Sequence, residues 1–215
     1  MNSIQTANYI LSHSLAKKTE ITPLKLQKLI YYLKVWSIID NKPKLIYADF
    51  KKWNHGPVNK EVYYHYKKYG SKPIPLENCN YSLNITIEEE NTLNFILENY
   101  LPIQAISLSL MTHREDPWCE IENNEVISDN SIYEYYSKQL FSKNFPLDFD
   151  NKKYYPVISN ESYAYYADMT KSEMKNLLAY PSYNQYMQLK EKTEKNFHGL
   201  LKRSLKQTIS FNYNN

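Results

Sequence analysis

The sequence predicts a mainly α protein: a compact helical domain with at most one or two short strands, followed by a helical C-terminal extension. Two observations carry this. Apolar residues recur at helical spacing along most of the chain. The breaks between those stretches hold N-cap residues, Pro or Gly. Only two short runs, 45–50 and 81–87, are β-prone.

The elements follow in order. Ile4, Ala7, Ile10, Leu11 and Leu15 predict a first helix over 2–16. Thr22-Pro23 offers an N-cap with Pro at the first helical position. The second helix then runs to about Ile39. Leu26, Leu29, Ile30, Leu33 and Trp36 form its stripe, with Lys25, Lys28 and Lys34 mostly away from it. Asp40-Asn41-Lys42-Pro43 ends it. Leu45 to Phe50 reads as an edge strand or an extended segment, and Trp53 to Pro57 as a turn. A third helix spans about Asn59 to Tyr69, with Val62, Tyr63, Tyr66 and Tyr69 on one side. Residues 74–87 read as loop, with a strand over 81–87 as the alternative. Helices follow at Thr92–Leu101, Ile103–Met111 and 128–143, with a polar loop from Thr112 to Trp118. The Glu88-Glu89-Glu90 run suits a positive helix N-terminus; as an alternative it mimics phosphate.

A domain of residues 1–147 is expected, with a Tyr- and Lys-rich extension over 148–215. Within the extension a last helix, from about Ser182 to Ile209, carries Lys202 and Arg203. Tyr165 and Tyr166 precede it. The net charge of +3 is uneven. Residues 1–150 hold 16 Lys+Arg and 18 Asp+Glu, while residues 151–215 hold 10 and 5. A basic tail attracts an acidic protein, a nucleic acid or nothing in particular.

Composition excludes several function classes. Three Gly in 215 residues argue against Gly-rich phosphate loops, and neither GxGxxG nor GxxxxGK occurs. Cys79 and Cys119 form no CxxC pair, so no metal cluster or disulfide framework is expected. The spaced apolar residues of the N-terminus read as an amphipathic helix, not a signal peptide. No 18-residue apolar run exists. A cytoplasmic location is the default expectation. The 22 Tyr reflect AT-rich codons or, functionally, rigid amphipathic contact area.

Three segments carry a shared pattern. The first is Thr22-Pro23-Leu24-Lys25-Leu26-Gln27-Lys28-Leu29-Ile30-Tyr31-Tyr32. The second is Phe50-Lys51-Lys52-Trp53-Asn54-His55-Gly56-Pro57-Val58, with Val62-Tyr63 downstream. The third runs from Leu108 through Met111-Thr112-His113 and Glu115 to Pro117-Trp118. In order and spacing they resemble the Panacea (SocA-like) antitoxin domain, over about residues 3–145. Lys52 departs from the pattern, where the family usually has a small residue.

The resemblance implies a mainly helical fold and the antitoxin role of a toxin–antitoxin pair, acting by direct contact. It implies a cognate toxin encoded nearby as partner, with delivery of a partner to a AAA+ protease as the alternative. No cofactor, metal, membrane or catalysis is implied, and nucleic-acid binding by the basic tail is a weaker competitor. Candidate partner-binding residues are Lys25, Gln27, Lys28, Trp53, His55, His113, Glu115, Trp118, Tyr165, Tyr166, Lys202 and Arg203. Read without the family, each has a bland alternative. His113 near Glu115 or Asp116 is an acid–base group, or it caps a helix and bonds backbone. Trp53 and Trp118 line a cleft, or they fill the core. Gln27, one position from the apolar stripe, reaches a buried polar contact or joins Lys25 and Lys28 in a recognition face.

Overall fold

A computed structural model describes residues 1–75, 85–148 and 155–157. The chain divides into two units, Met1–Val157 and Ile158–Asn215, and all described residues lie in the first. The last helix, with Tyr165, Tyr166, Lys202 and Arg203, lies outside them.

Helix α1 spans Ser3–Ala16. It starts at Asn2 because Asn2 and Gln5 cap each other reciprocally: the Asn2 side chain accepts from the Gln5 amide at 2.8 Å, and Gln5 Oε1 from the Asn2 amide at 2.9 Å. Its Ala7, Ile10 and Leu11 are buried. Helix α2 spans Pro23–Ile39, with Thr22 as N-cap and Pro23 at its start.

Helix α2 is the axis of the domain. Helices α1, α3, α4, α5 and α7 and strand β2 all pack on it. Fourteen of its 17 residues are buried, so it has no solvent face. This corrects the single-stripe expectation: Lys25, Lys28 and Lys34 are buried too. A lysine inside must bond internally or run its stem to the surface. Lys34 does the first, donating to the Ala48 carbonyl at 2.9 Å and pairing with Asp129 at 2.6 Å.

Strands β1 (Lys51–Trp53) and β2 (Gly56–Val58) form an antiparallel hairpin with Asn54 and His55 at its tip. The strand thus lies beyond the expected 45–50 run. Tyr47 makes only an isolated bridge to Asn2. The outer edge of β1 is covered by 124–127: the Lys52 amide donates to Glu125, Asn124 to Lys52, and Ile127 to Phe50. A covered edge does not recruit another strand.

Helix α3 (Lys60–Tyr66) is capped by Asn59 and runs into a 3-10 turn at Lys67–Tyr69. Helix α4 spans Ile87–Tyr100, starting five residues before the expected Thr92. Ile87 therefore opens a helix and ends no strand; 81–84 lie outside the described residues. Thr86 and Glu89 form a capping box, and Glu88, Glu89 and Glu90 occupy the first turn. The capping outweighs the β preference of Ile87. Asp40, at the end of α2, accepts from Lys42 at 2.5 Å and Thr92 at 2.7 Å, tying α2 to α4.

Helices α5 (Ala105–Thr112), α6 (Asp116–Cys119) and α7 (Asp129–Tyr136) complete the set, with a 3-10 turn at Leu140–Asn144. The 112–118 segment, expected as loop, contains α6. Trp36 anchors an aromatic core: its indole donates to the Tyr100 hydroxyl at 2.6 Å, and its ring meets Tyr136, Phe141 and Phe145. The fold is mainly α, with one two-stranded sheet among the described residues. No described helix is long and apolar enough to cross a membrane.

Candidate functional site: a clamped hairpin

The three motif segments meet at the hairpin tip. Gly56 is the tightest point. Its φ is +96°, and a Cβ there would lie 2.5 Å from Thr112 Oγ1 and 2.6 Å from Lys28 Nζ. Only glycine fits both the backbone angle and the space. The first and third segments thus close on the second.

Side chains of α2 and α5 then hold the hairpin carbonyls in turn. Ser109 Oγ donates to the His55 carbonyl at 2.8 Å. His113 Nε2 contacts the Asn54 carbonyl at 2.9 Å, while its Nδ1 contacts Ser109 at 2.5 Å. Lys28 Nζ donates to the Pro57 carbonyl at 2.8 Å. Gln27 bonds Asn59 twice: Nε2 donates to its carbonyl at 3.1 Å, and Oε1 accepts from its amide at 2.8 Å. Asn59 in turn donates to Asp49 at 2.9 Å and caps α3. Gln27 therefore reaches the buried polar contact its position suggested.

His113 is the C-cap of α5. Both its ring nitrogens face carbonyl oxygens. A neutral imidazole has one N–H to donate; the imidazolium has two. Burial lowers its pKa, against the opposing pull of the two carbonyls. His113 is thus occupied with backbone, as its bland reading expected, and it makes no hydrogen bond to Glu115 or Asp116.

Behind the clamp lies a buried polar node. Glu115 accepts from Tyr32 at 3.0 and 3.1 Å and from Tyr136 at 2.5 Å. Burial pushes its carboxyl up from 4.5 to about 7, although the two tyrosines, Arg114 and Lys28 pull it down. Burial also lowers the Lys28 ammonium well below its ordinary value, opposed by the charge of Glu115. The hydroxyls of Tyr31, Tyr32, Tyr100 and Tyr136 are raised well above theirs, burial leading in each. In each member burial shifts the pKa toward the neutral form.

Trp118 closes one side. It is buried, its ring lies 4.1 Å from that of His113, and its indole N–H has no partner among the described residues. Lys52 covers it, with Nζ 4.4 Å from the ring centroid. The same ammonium donates to Cys119 and Ile121 carbonyls at 3.1 and 2.6 Å. The long residue that departs from the Panacea pattern thus packs on Trp118. Trp53 is half-buried, edge-on to Tyr63 at 5.0 Å. His55 is exposed at the tip. Lys25 is buried in the first turn of α2, which lowers its ammonium.

Of the eight candidate residues within the described part, Lys28, Gln27, His113 and Glu115 use their polar groups inside the chain. Trp53 and His55 reach solvent. Sequence reasoning missed Ser109, Thr112, Asn59, Tyr32 and Tyr136. The Thr112-His113 pair lies inside the third motif, so that signal was available. Tyr32 closes the first motif, so it was marked in the same way, whereas Tyr136 lies outside all three. Tyr63 was expected on the side of Val62 and Tyr66; Val62 and Tyr66 are buried, whereas Tyr63 is 38% exposed. Among the described residues no group of three or more His, Cys, Asp or Glu could hold a metal ion.

Residues 26–119 match the family model of the antitoxin SocA-like, Panacea domain. The match begins in α2 and ends with α6. The matched segment therefore contains Gln27, Lys28, the hairpin, Ser109, Thr112, His113, Glu115 and Trp118. Helices α1 and α7 lie outside it, so Tyr136 completes the Glu115 node from beyond the matched residues. No curated protein and no solved structure matches the chain.

Proposed function

We propose that this chain is an antitoxin that binds and neutralises a cognate toxin, with no chemistry of its own. One observation carries the reading: within the matched segment, Gln27, Lys28, Ser109 and His113 hold one hairpin and the residue that follows it. The carbonyls of Asn54, His55, Pro57 and Asn59 each meet a side chain of α2 or α5. A preformed loop binds without the cost of ordering it. A general acid or base needs a free face toward a substrate, and the groups of His113 and Glu115 are turned to backbone and tyrosines. Neutralisation then acts by steric occlusion of the toxin's active site.

Co-expression with the product of the adjacent gene tests this. The expected results are a stable complex and rescue of growth. The absence of both complex and rescue refutes the reading. The partner's half-life separates the mechanisms: unchanged under neutralisation by binding, shortened under delivery to a protease.

A further inference from the structure

Helix α3 presents a stripe that the clamp does not use. Lys60, Tyr63, Tyr64 and Lys67 stand at i, i+3, i+4 and i+7, one face of a helix. All four are exposed, while Val62 and Tyr66 on the other face are buried. Tyr64 is 59% exposed. The rings form a continuous ridge: Trp53 meets Tyr63 at 5.0 Å, and Tyr63 meets Tyr64 at 5.4 Å, both edge to face. Lys67 lies over Tyr64 at 4.8 Å. The ridge therefore runs from the clamped hairpin onto α3.

Its charge is one-sided. Lys60, Lys67 and Lys68 face water beside a single acid, Glu61, and none of the three forms an ion pair among the described residues. Among the described lysines, Lys17, Lys34 and Lys42 form ion pairs, with Glu98, with Asp129 and with Asp40 and Glu88. Aromatic residues on a rigid base, rimmed by unpaired cations, suit an interface of opposite charge.

We propose that the Lys60–Tyr63–Tyr64–Lys67 stripe, with Trp53, docks an acidic surface of a partner protein. The proposal rests on the antitoxin reading and names the charge of the surface that the toxin presents. Single-stranded nucleic acid fits the ridge less well. Base stacking needs open ring faces, and here the rings stand edge to face while Lys67 covers a face of Tyr64.

The test uses the full chain and the adjacent gene's product, with binding measured by calorimetry at low and high salt. Tyr64→Ala should weaken the complex about tenfold or more. The double variant Lys60→Glu/Lys67→Glu should weaken it by roughly 10- to 100-fold and remove most of the salt dependence. Lys18→Glu/Lys44→Glu, on other exposed segments, should leave it unchanged. Retained tryptophan fluorescence and urea midpoint show that each variant is folded. A wild-type complex that the stripe variants leave intact overturns this inference and spares the antitoxin reading. Absence of any wild-type complex overturns both. A 20-nucleotide single strand that binds through the stripe more tightly than the partner does also overturns it, in favour of nucleic acid.

Discussion

Replacing Gly56 with Ala should unfold a large part of the domain's stability. Two costs add. A non-glycine residue held at φ +96° is strained by about 1–3 kcal/mol. The new methyl would also lie 2.5 Å from Thr112 Oγ1 and 2.6 Å from Lys28 Nζ. Lys28 is fully buried, so its ammonium has no open space to enter. Losing its bond to Pro57 leaves a buried donor unmatched, at about 1–3 kcal/mol. The sum is about 4 kcal/mol, against a typical total of about 5–15. Gly70 is the internal control. Its φ is +58°, and a Cβ there meets nothing within 4 Å, so Gly70→Ala should carry the backbone strain alone, about 1–3 kcal/mol. Urea unfolding followed by tryptophan fluorescence measures both. Trp36, Trp53 and Trp118 are the three tryptophans of the chain, and all lie in the first unit. A double-mutant cycle with Lys28→Ala should show coupling of about 1 kcal/mol or more. If Gly56→Ala and Gly70→Ala cost the same within 1 kcal/mol, the clamp argument is wrong.

Two further outcomes follow from the same site. Glu115, raised from 4.5 to about 7, is favoured as the neutral acid in the fold. Its contribution is full below pH 4.5 and is lost as pH rises through about 7, amounting to about 3 kcal/mol. Wild type should therefore lose that much relative to Glu115→Gln between pH 4 and 8; parallel stability curves would sink the claim. Gln27→Ala strips the buried Asn59 amide and carbonyl of their partner. It should cost about 2–3 kcal/mol by urea midpoint, and a loss under 1 kcal/mol would mean that Asn59 is satisfied without it.

The helices were legible because their signals are local. Asn2, Thr22 and Ser128 cap helices from their own side chains, and apolar spacing needs no knowledge of partners; the cap at Thr86 was passed over for a start at Thr92. The three motifs were legible as an ordered set, and the family match contains nearly all of them. Of the two readings of 45–50, edge strand or extended segment, no strand forms beyond the bridge at Tyr47, because β preference is local, whereas pairing depends on what lies opposite. The true pair closes around Gly56, and its other edge is supplied by 124–127.

By itself, then, the sequence determined that the chain is mainly α, where most helices begin, and which segments belong to one pattern. Tertiary structure alone decided the environment of each residue. Lys28 sits at a helix position that a single-stripe reading gives to water, yet neighbours on every side of α2 bury it. Glu115 meets Tyr32 and Tyr136 across 83 and 21 residues of chain. Spacing along a helix says which residues share a face. It does not say what packs against that face, and burial is a property of the pair.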